Sequence, residues 1–167
     1  SMVNRALDLN TILASALDAT MSSMGMDAGM FRLLPAPETA PNAVCRGFGK
    51  EPVALLESET DGSAAAQQMA STLAGDISKW GDSPLAGSLK REGLQFFANY
   101  PIRSGNRVLG SLALAGKSLK PPTESQEDYI LALCEILGVA IVSAQLREQS
   151  NKLSEDLIAL QELNKII

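Results

Sequence analysis

The chain has 167 residues, of which 46% are hydrophobic, and its formal net charge is −5. This length allows one domain of common size plus an appendage, and the apolar fraction predicts a packed core. An acidic chain without a basic run lacks the clustered Lys and Arg side chains that neutralise phosphates, which argues against nucleic acid as a partner.

Histidine is absent from the sequence, and its absence removes several kinds of chemistry. Ser-His-Asp and Cys-His catalysis, histidine-ligated haem and a histidine phospho-acceptor all need that side chain. Cys45 and Cys134 fall in a predicted strand and a predicted helix, where we expect reduced core thiols rather than a disulfide. Two isolated cysteines without histidine cannot build a tetrahedral zinc site, so no metal site is predicted.

The expected location of the protein is the cytoplasm. The chain shows no secretory leader, and Ser1-Met2 is typical of an expression scar. The most membrane-like run, residues 129–144, is 16 residues long and contains Glu135, whereas a membrane span needs roughly 20 apolar residues. We therefore expect a buried helix at this place and no insertion into a membrane.

The first third of the chain predicts one helix and two strands. Apolar residues recur at helical spacing over residues 4–24, and Gly25 suits the C-terminal end of that helix. A strand is predicted at residues 28–34, and the prolines that follow predict a turn. A second short strand is predicted at residues 43–48.

Two small helices are predicted in the middle of the chain. The first spans residues 63–74, with Ser63 as its N-cap. The second has Ser83 as its N-cap and Pro84 at its first position, and it ends near residue 93. Both segments are rich in small residues, so they predict a cover over one face of a sheet rather than a core.

A β-hairpin and a helix start follow. Residues 94–104 and 107–116 flank Gly105-Asn106, which tolerate the positive φ angles of a tight turn. Thr123 and Gln126 form a capping box that begins the last helix. The order of helix, two strands, two small helices, two strands and helix predicts an α+β fold with an antiparallel sheet.

The last helix is predicted to run unbroken over residues 123–167, and its second half carries a seven-residue repeat that is typical of a coiled coil. With leucines at position d, position a holds Ser143, Ser150 and Asn164, and these polar residues predict a weak seam of fixed register. The expected partner is a second copy, which forms a homodimer through the terminal helices. The predicted seam residues are Leu146, Leu153, Leu157, Leu160, Asn164 and Ile167.

From the hairpin onward the sequence resembles a GAF domain. Pro101-Ile102 end an apolar strand, Gly110-Ser111-Leu112 follow a tight turn, and Ala140 and Ala144 lie in the closing helix. The front segment, LDLNTILASALDATMSSMGMDAGMFRLL, is similar to the first helix and first strand of that family. The resemblance covers residues 4 to about 148.

The resemblance implies an antiparallel sheet of five or six strands. The long N- and C-terminal helices would cover one face, and small helices and loops would cover the other, where the family often encloses a small ligand. The implied domain spans residues 4–145, and residues 146–167 form a connector helix. Such domains are sensory or dimerising modules of bacterial signalling proteins, including two-component systems. The implied output domain, a histidine kinase, a diguanylate cyclase or similar, follows in the same polypeptide.

Several specialised activities of the family do not carry over to this sequence. The Asn-Lys-Phe-Asp-Glu signature of the members that bind cyclic nucleotides is absent, and the Cys-His pair of bilin photoreceptors cannot exist without histidine. No haem or bilin cofactor is therefore expected, while an unknown small ligand stays compatible with the sequence.

Alternation along the first hairpin strand selects the candidate ligand residues. One set points toward the long helices and is apolar throughout: Leu94, Phe96, Ala98, Tyr100 and Ile102. The other set includes Phe97 and Asn99 and points toward the small helices. If Asn99 is buried it needs hydrogen-bond partners, either backbone and water or a ligand in a cavity beside Phe97.

Three further residues complete the candidate ligand set. Ser111 lies on the neighbouring strand, where its small side chain leaves space beside Asn99. Arg32 offers a fork for a carboxylate, although an exposed or helix-paired arginine is the favoured interpretation. Trp80, the only tryptophan, stacks on a flat ligand or, as favoured, caps the core.

Three functions are compatible with these features. The first is a non-catalytic sensory domain that binds a small ligand and transmits the signal through its C-terminal helix. The second is a dimerisation module without a ligand. The third and most remote is a redox enzyme that uses Cys45 or Cys134, which is disfavoured because thiols in the middle of an element are normally inert.

Overall fold

The computed structural model describes residues 2–34, 43–58 and 70–166, and it describes side chains over residues 9–34, 43–57 and 70–165. The predicted turn at the prolines, most of the predicted helix at 63–74, and the seam residue Ile167 lie outside the described residues.

The described chain forms the α+β fold that the sequence predicts. The helices are α1 (Met2–Met24), α2 (Lys50–Ser58), α3 (Pro84–Arg91) and α4 (Glu124–Ile166), and a short 3₁₀ helix spans Ile77–Trp80. The strands are β1 (Ala28–Leu33), β2 (Ala43–Arg46), β3 (Leu73–Asp76), β4 (Phe96–Ser104) and β5 (Arg107–Gly116).

The strands form one sheet in the order β2-β1-β5-β4-β3, and every neighbouring pair is antiparallel. β4 and β5 are the predicted hairpin, and Gly105 at its turn has a φ of 59°, which glycine adopts without steric cost. β5 is the central strand and pairs with both β1 and β4. Ser111 of β5 therefore lies opposite Arg32 of β1, and Ala113 of β5 lies opposite Asn99 of β4.

The two long helices cover one face of the sheet, as predicted. Leu13 and Leu17 of α1 are buried there together with a stripe of α4 that recurs every three or four residues, which is the spacing of one helix face. The capping box of α4 is present, because Gln126 N–H donates to Thr123 Oγ1 at 3.2 Å and Thr123 N–H donates to Gln126 Oε1 at 2.9 Å. The strand residues packed on this side include Phe31, Phe96, Ala98, Tyr100, Ile102, Leu112 and Leu114.

The prediction that Leu94 points toward the long helices is wrong. Leu94 packs in the cluster on the opposite side of the sheet, because β4 begins only at Phe96 and strand alternation does not extend back to Leu94.

The small elements cover the other face, which we call the cover face. Its apolar layer combines Leu56 of α2, Ile77 of the 3₁₀ helix and Leu89 of α3 with Phe97 and Met30 from the sheet. α3 begins as predicted, since Ala86 N–H donates to Ser83 Oγ at 3.1 Å.

Two predictions for the middle of the chain are corrected. α2 was not predicted, although Pro52 in its first turn is a typical signal for a helix start. The predicted helix at residues 63–74 is wrong at its C-terminal end, because Leu73 and Ala74 belong to strand β3 and pair with Asn99 and Ala98. Backbone pairing with a long central strand overrides the helical preference of these small residues.

Candidate functional site

Arg32 lies at the centre of the cover face and is buried, with 3% of its surface exposed. It follows Ala28 and Met30 on the same side of β1, both of which pack in the apolar layer of the cover face. A buried guanidinium is costly unless its N–H groups find acceptors. The hydrogen bonds of Arg32 therefore decide what this part of the protein can do.

Among the described residues, the guanidinium donates hydrogen bonds to acceptors from three different elements. Its Nε donates to Ser111 Oγ at 3.1 Å, its Nη2 donates to Asn99 Oδ1 at 3.1 Å, and its Nη1 donates to the backbone carbonyl of Leu56 at 3.0 Å. Ser111 and Asn99 are also buried. The structure thus brings together three of the five sequence-predicted site residues around one charged group.

The Leu56 carbonyl belongs to the last turn of α2. The last four carbonyls of a helix have no partner within the helix, and a cation near the C-terminal end is favourable for its dipole. Arg32 therefore fastens α2 to the sheet. The prediction that Arg32 is exposed is wrong, whereas the prediction that it pairs with a helix is confirmed, because its partner is a helix carbonyl.

Asn99 connects this cluster to the chain that leads into β3. Its Oδ1 accepts from Arg32, and its Nδ2 donates to the carbonyl of Ser71 at 2.9 Å. Ala113, opposite Asn99 on β5, has a small side chain in the apolar layer. The amide thus satisfies both of its polar ends within the protein, which matches the prediction that a buried Asn99 needs partners.

The other two predicted site residues, Trp80 and Phe97, form an aromatic pair. Their ring centroids are 5.5 Å apart and their planes meet at 86°, an edge-to-face arrangement. Phe97 is buried and Trp80 is half-buried at the edge of the same apolar layer. The contact fits the favoured interpretation that Trp80 caps the core.

An open cleft lies on the outer side of the cover, between α2 and α3, and was not predicted. Its volume is about 420 Å³. An exposed ion pair between Glu51 and Arg91 lies at its wall, and such pairs contribute little to stability. The side chains and backbone that line it come from Glu51, Leu55, Gly81, Asp82, Ser83, Pro84, Gly87, Lys90 and Arg91.

The chemistry of the two cysteines is that of protonated thiols. Burial raises the pKa of Cys134, in the layer under α1 and α4, to about 12. Burial is also the main cause that raises the pKa of Cys45, which lies on the edge strand β2. A thiolate is the reactive form of cysteine, so raised pKa values lower its reactivity. Tyr100, beside this layer, has its pKa raised to about 12, mainly by burial, and is likewise neutral near pH 7.

The predicted seam residues of α4 lie on an exposed apolar stripe. Leu146, Leu153, Leu157 and Leu160 are each exposed by more than half, and Asn164 is exposed as well. The stripe also continues onto the part of α4 that packs on the sheet. Ile136 and Val139, one heptad earlier at positions a and d, are 66% and 70% exposed.

α4 is apolar on two opposite sides along its first half. At 100° per residue, the stripe of Ile136 and Val139 lies across the helix from the buried stripe of Ile130, Leu137 and Ile141. By length and composition, α4 contains an 18-residue window apolar enough to cross a membrane, with a mean hydropathy of 2.0, and 28% of that window is buried. Most residues of this window are therefore at least partly exposed within a single chain.

Comparison with known proteins agrees with this geometry. No curated protein matches the sequence. A domain assigned to a two-component sensor histidine kinase from Sinorhizobium meliloti 1021 superimposes with a TM-score of 0.65 at 16% identity, and the match covers 84% of this chain and 96% of that one. GAF3 of Slr1393 from Synechocystis sp. PCC6803, in its photoproduct state, gives a TM-score of 0.63 at 18% identity over 84% of this chain and 98% of that one.

A third solved structure is the GAF domain region of a Geobacter sulfurreducens PCA protein, with a TM-score of 0.61, 18% identity, and coverage of 83% of this chain and 96% of that one. Identities this low establish the shared fold only. The family itself is established by sequence, because the profile of the GAF domain matches residues 8–141. This chain is a member of the GAF domain family.

Proposed function

We propose that this chain is the sensory domain of a bacterial signalling protein and is not catalytic by itself. It binds a small ligand on the cover face and transmits occupancy through α4 to an output domain in the same polypeptide, such as a histidine kinase of a two-component system or a diguanylate cyclase. The observation that carries the proposal is the buried cluster of Arg32, Asn99 and Ser111, which ties one cover helix to three strands.

The ligand site extends from this cluster toward Phe97 and Trp80. Polar side chains that converge within an apolar layer are the usual composition of a small-molecule site. The layer above them is built from short elements: α2 has nine residues, α3 has eight and the 3₁₀ helix has four. Short elements of this kind belong to the less stable part of a fold, so they can rearrange around a ligand at a low cost in free energy.

The transmission step uses a homodimer of α4. The exposed stripe from Ile136 to Asn164 keeps one side of the helix facing a partner over four heptads. Residues 4–145 act as the sensory domain and residues 146–167 as the connector. A rearrangement of the cover that shifts β4 or β1 changes the position of α1 and α4 on the opposite face of the sheet. The paired α4 helices then transmit that change to the output domain.

The same interface accounts for the hydropathy of α4 without a membrane. One side of the helix packs on the sheet through Ile130 and Leu137, which a membrane-spanning helix would have to abandon. The opposite side is covered by the second copy. We accordingly place the domain in the cytoplasm, with no insertion into a membrane and no nucleic-acid partner.

No cofactor takes part in the proposed function. Without histidine the chain offers neither the usual axial ligand of haem nor the Cys-His pair that accompanies bilin. The raised pKa values of Cys45 and Cys134 disfavour a redox enzyme.

One observation favours a second candidate, a dimerisation module without a ligand. Asn99 and Ser111 already accept hydrogen bonds from the Arg32 guanidinium and thus act as structural partners. In that case the cluster would serve only to hold α2 in place.

Native mass spectrometry of the freshly purified dimer distinguishes the two candidates. We expect the wild-type protein, as purified or after incubation with the small-molecule fraction of a cell extract, to show a mass above that of its sequence. Ser111→Val should remove the extra mass, because it deletes a hydroxyl of the cluster. Ser104→Val, the same change at an exposed position of β4, should retain it. A wild-type dimer that never carries extra mass would favour the module without a ligand.

A further inference from the structure

We infer that a second copy of this chain binds the exposed stripe of α4 in parallel and in register, so that the C-terminal ends of both helices lie side by side. This inference rests on the proposed homodimer and adds its orientation and register. The polar residues within the stripe decide between the possible arrangements.

The exposed stripe of α4 is long enough to pair with a helix of its own length. From Ile136 to Asn164 it covers about 42 Å of helix, and its large apolar side chains are 58–70% exposed in the single chain. Four heptads are a sufficient length for a coiled coil. A second α4 offers the identical stripe, and a two-fold axis pairs identical surfaces.

The polar and apolar residues of the stripe are divided between its two core positions. Position a holds Ser143, Ser150 and Asn164, whereas position d is apolar throughout: Val139, Leu146, Leu153 and Leu160. In a parallel pair position a faces position a of the partner, and in an antiparallel pair it faces position d. The two orientations therefore give the polar side chains different neighbours.

An antiparallel pair would place each polar side chain level with an apolar residue at any register. The amide of Asn164 would then be buried without an acceptor or donor opposite it, which is costly. A parallel pair in register places each polar residue beside its own copy, where amide donates to amide and hydroxyl to hydroxyl. A displacement by one heptad loses this match, because Asn164 would face Leu157 of the partner subunit.

The flanking positions e and g are compatible with the parallel arrangement. Each g side chain of a parallel pair lies beside the e side chain five residues further along the partner. No like charges meet in the described heptads: Glu135 meets the partner's Ala140, Val142 meets the partner's Arg147, and Asp156 meets the partner's Gln161. The polar residues at position a therefore determine the orientation.

The two serines also make the seam weakest just where α4 leaves the sheet. Between Val139 and Leu153, only Leu146 contributes a large apolar side chain to the core positions. Small polar residues at position a reduce the stability of a seam. The helices can therefore shift in this stretch when the domain changes, while the leucines that follow keep the two copies in register.

Single cysteine substitutions at the three polar a positions test the orientation: Ser143→Cys, Ser150→Cys and Asn164→Cys. A disulfide needs Cα atoms about 4.4–6.8 Å apart, so in a parallel pair in register each variant should cross-link to its own copy. In an antiparallel pair only a residue at the symmetry axis meets its copy. If that residue is Ser143, the two copies of Ser150 are about 21 Å apart. We expect all three variants to cross-link most of their chains under mild oxidation, as measured by non-reducing electrophoresis.

Glu155→Cys is the matched control, because Glu155 is exposed at position f, on the side of the helix away from the seam. It should not cross-link. The control retains Cys45 and Cys134, so it also measures any cross-link that forms through the native cysteines. The change from serine to cysteine replaces only an oxygen with a sulfur, so the two serine variants decide the question if Asn164→Cys does not dimerise.

A protein that sediments as a dimer, but of which at most one seam variant cross-links, would overturn the parallel pairing and leave the proposed homodimer intact. Cross-linking of Glu155→Cys to the same extent as the seam variants would also overturn it. A wild-type protein that sediments as a monomer would overturn this inference together with the proposed transmission through α4, but not the proposed binding of a ligand on the cover face.

Discussion

Replacing Leu153 and Leu160 together with alanine is expected to convert the proposed α4 dimer into a folded monomer. Both side chains occupy position d of the seam and are 64% and 58% exposed in the single chain. Burial of a leucine side chain contributes about 1.5–3 kcal/mol, and the double change removes four such side chains from one dimer. Because each side chain can bury only its exposed part, about 0.6 of its surface, the free energy of association should fall by about 4–7 kcal/mol, which weakens dimerisation roughly 10³–10⁵-fold.

Sedimentation equilibrium measures this loss, and circular dichroism shows whether the domain remains folded. Ile158→Ala is the matched control, because Ile158 is similarly exposed but lies at position b, outside the seam. It should leave the dimer intact. A double variant that sediments as an unchanged dimer would contradict the assignment of the seam.

The substitution Gly110→Ala is expected to destabilise the domain by about 3 kcal/mol. A Cβ at this position would lie 2.1 Å from the backbone carbonyl oxygen of Arg32, so β1 and β5 would have to separate where they pair. The same shift would move Arg32 away from Ser111. Urea unfolding followed by tryptophan fluorescence measures the effect through Trp80.

Gly87→Ala is the matched control for Gly110→Ala. Gly87 lies in helix α3, and a Cβ there would meet only the end of the Arg91 side chain at 3.5 Å. Alanine in place of a helical glycine should stabilise the domain by roughly 0.5–1 kcal/mol. Equal effects at the two positions would contradict the close approach of β1 and β5.

The sequence predicts the fold well where a single periodicity dominates. The hairpin strands alternate strictly because one side meets the long helices and the other meets the cover, and a Gly-Asn turn fixes their register. α1 and the start of α4 are predicted because their core positions repeat with helical spacing and Thr123 and Gln126 mark an N-terminus. In these elements local preference and tertiary packing agree.

The prediction fails in the middle of the chain, where the elements are short. α2 has nine residues and β3 has four, which is too few for either periodicity to develop. β3 consists of Leu73, Ala74, Gly75 and Asp76, and these residues are a strand only because they pair with β4. Such pairing is a tertiary effect that a local pattern does not contain.

Arg32 shows what the sequence predicts about the site and what it leaves open. Alternation places it on the same side of β1 as Met30, but β1 is buried on both faces, so alternation cannot distinguish a buried arginine from an exposed one. Its partner Leu56 acts through a backbone carbonyl, which no side-chain motif reveals. By contrast, the cover-face position of Asn99 follows from strand alternation, and that of Ser111 follows once the register of β4 and β5 is known.

The sequence likewise predicts one part of the seam on α4 and leaves the other part unrecognised. The heptads from Leu146 onward are evident because no other apolar pattern competes with them. Upstream, Ile136 and Val139 share the helix with the residues that pack on the sheet, and the two stripes together look like a helix that is apolar all round. Only the exposed fractions separate the stripe that faces the sheet from the one that faces outward.

The central claim is that occupancy of the cover face is coupled to pairing of α4. The most direct test is the dimer dissociation constant of the wild-type protein, measured by sedimentation with and without the small-molecule fraction that adds mass to the protein in native mass spectrometry. Coupling between sites is reciprocal and typically amounts to about 5–150-fold in affinity, so we predict a change of this size. A dissociation constant that is the same with and without the bound small molecule would contradict the account.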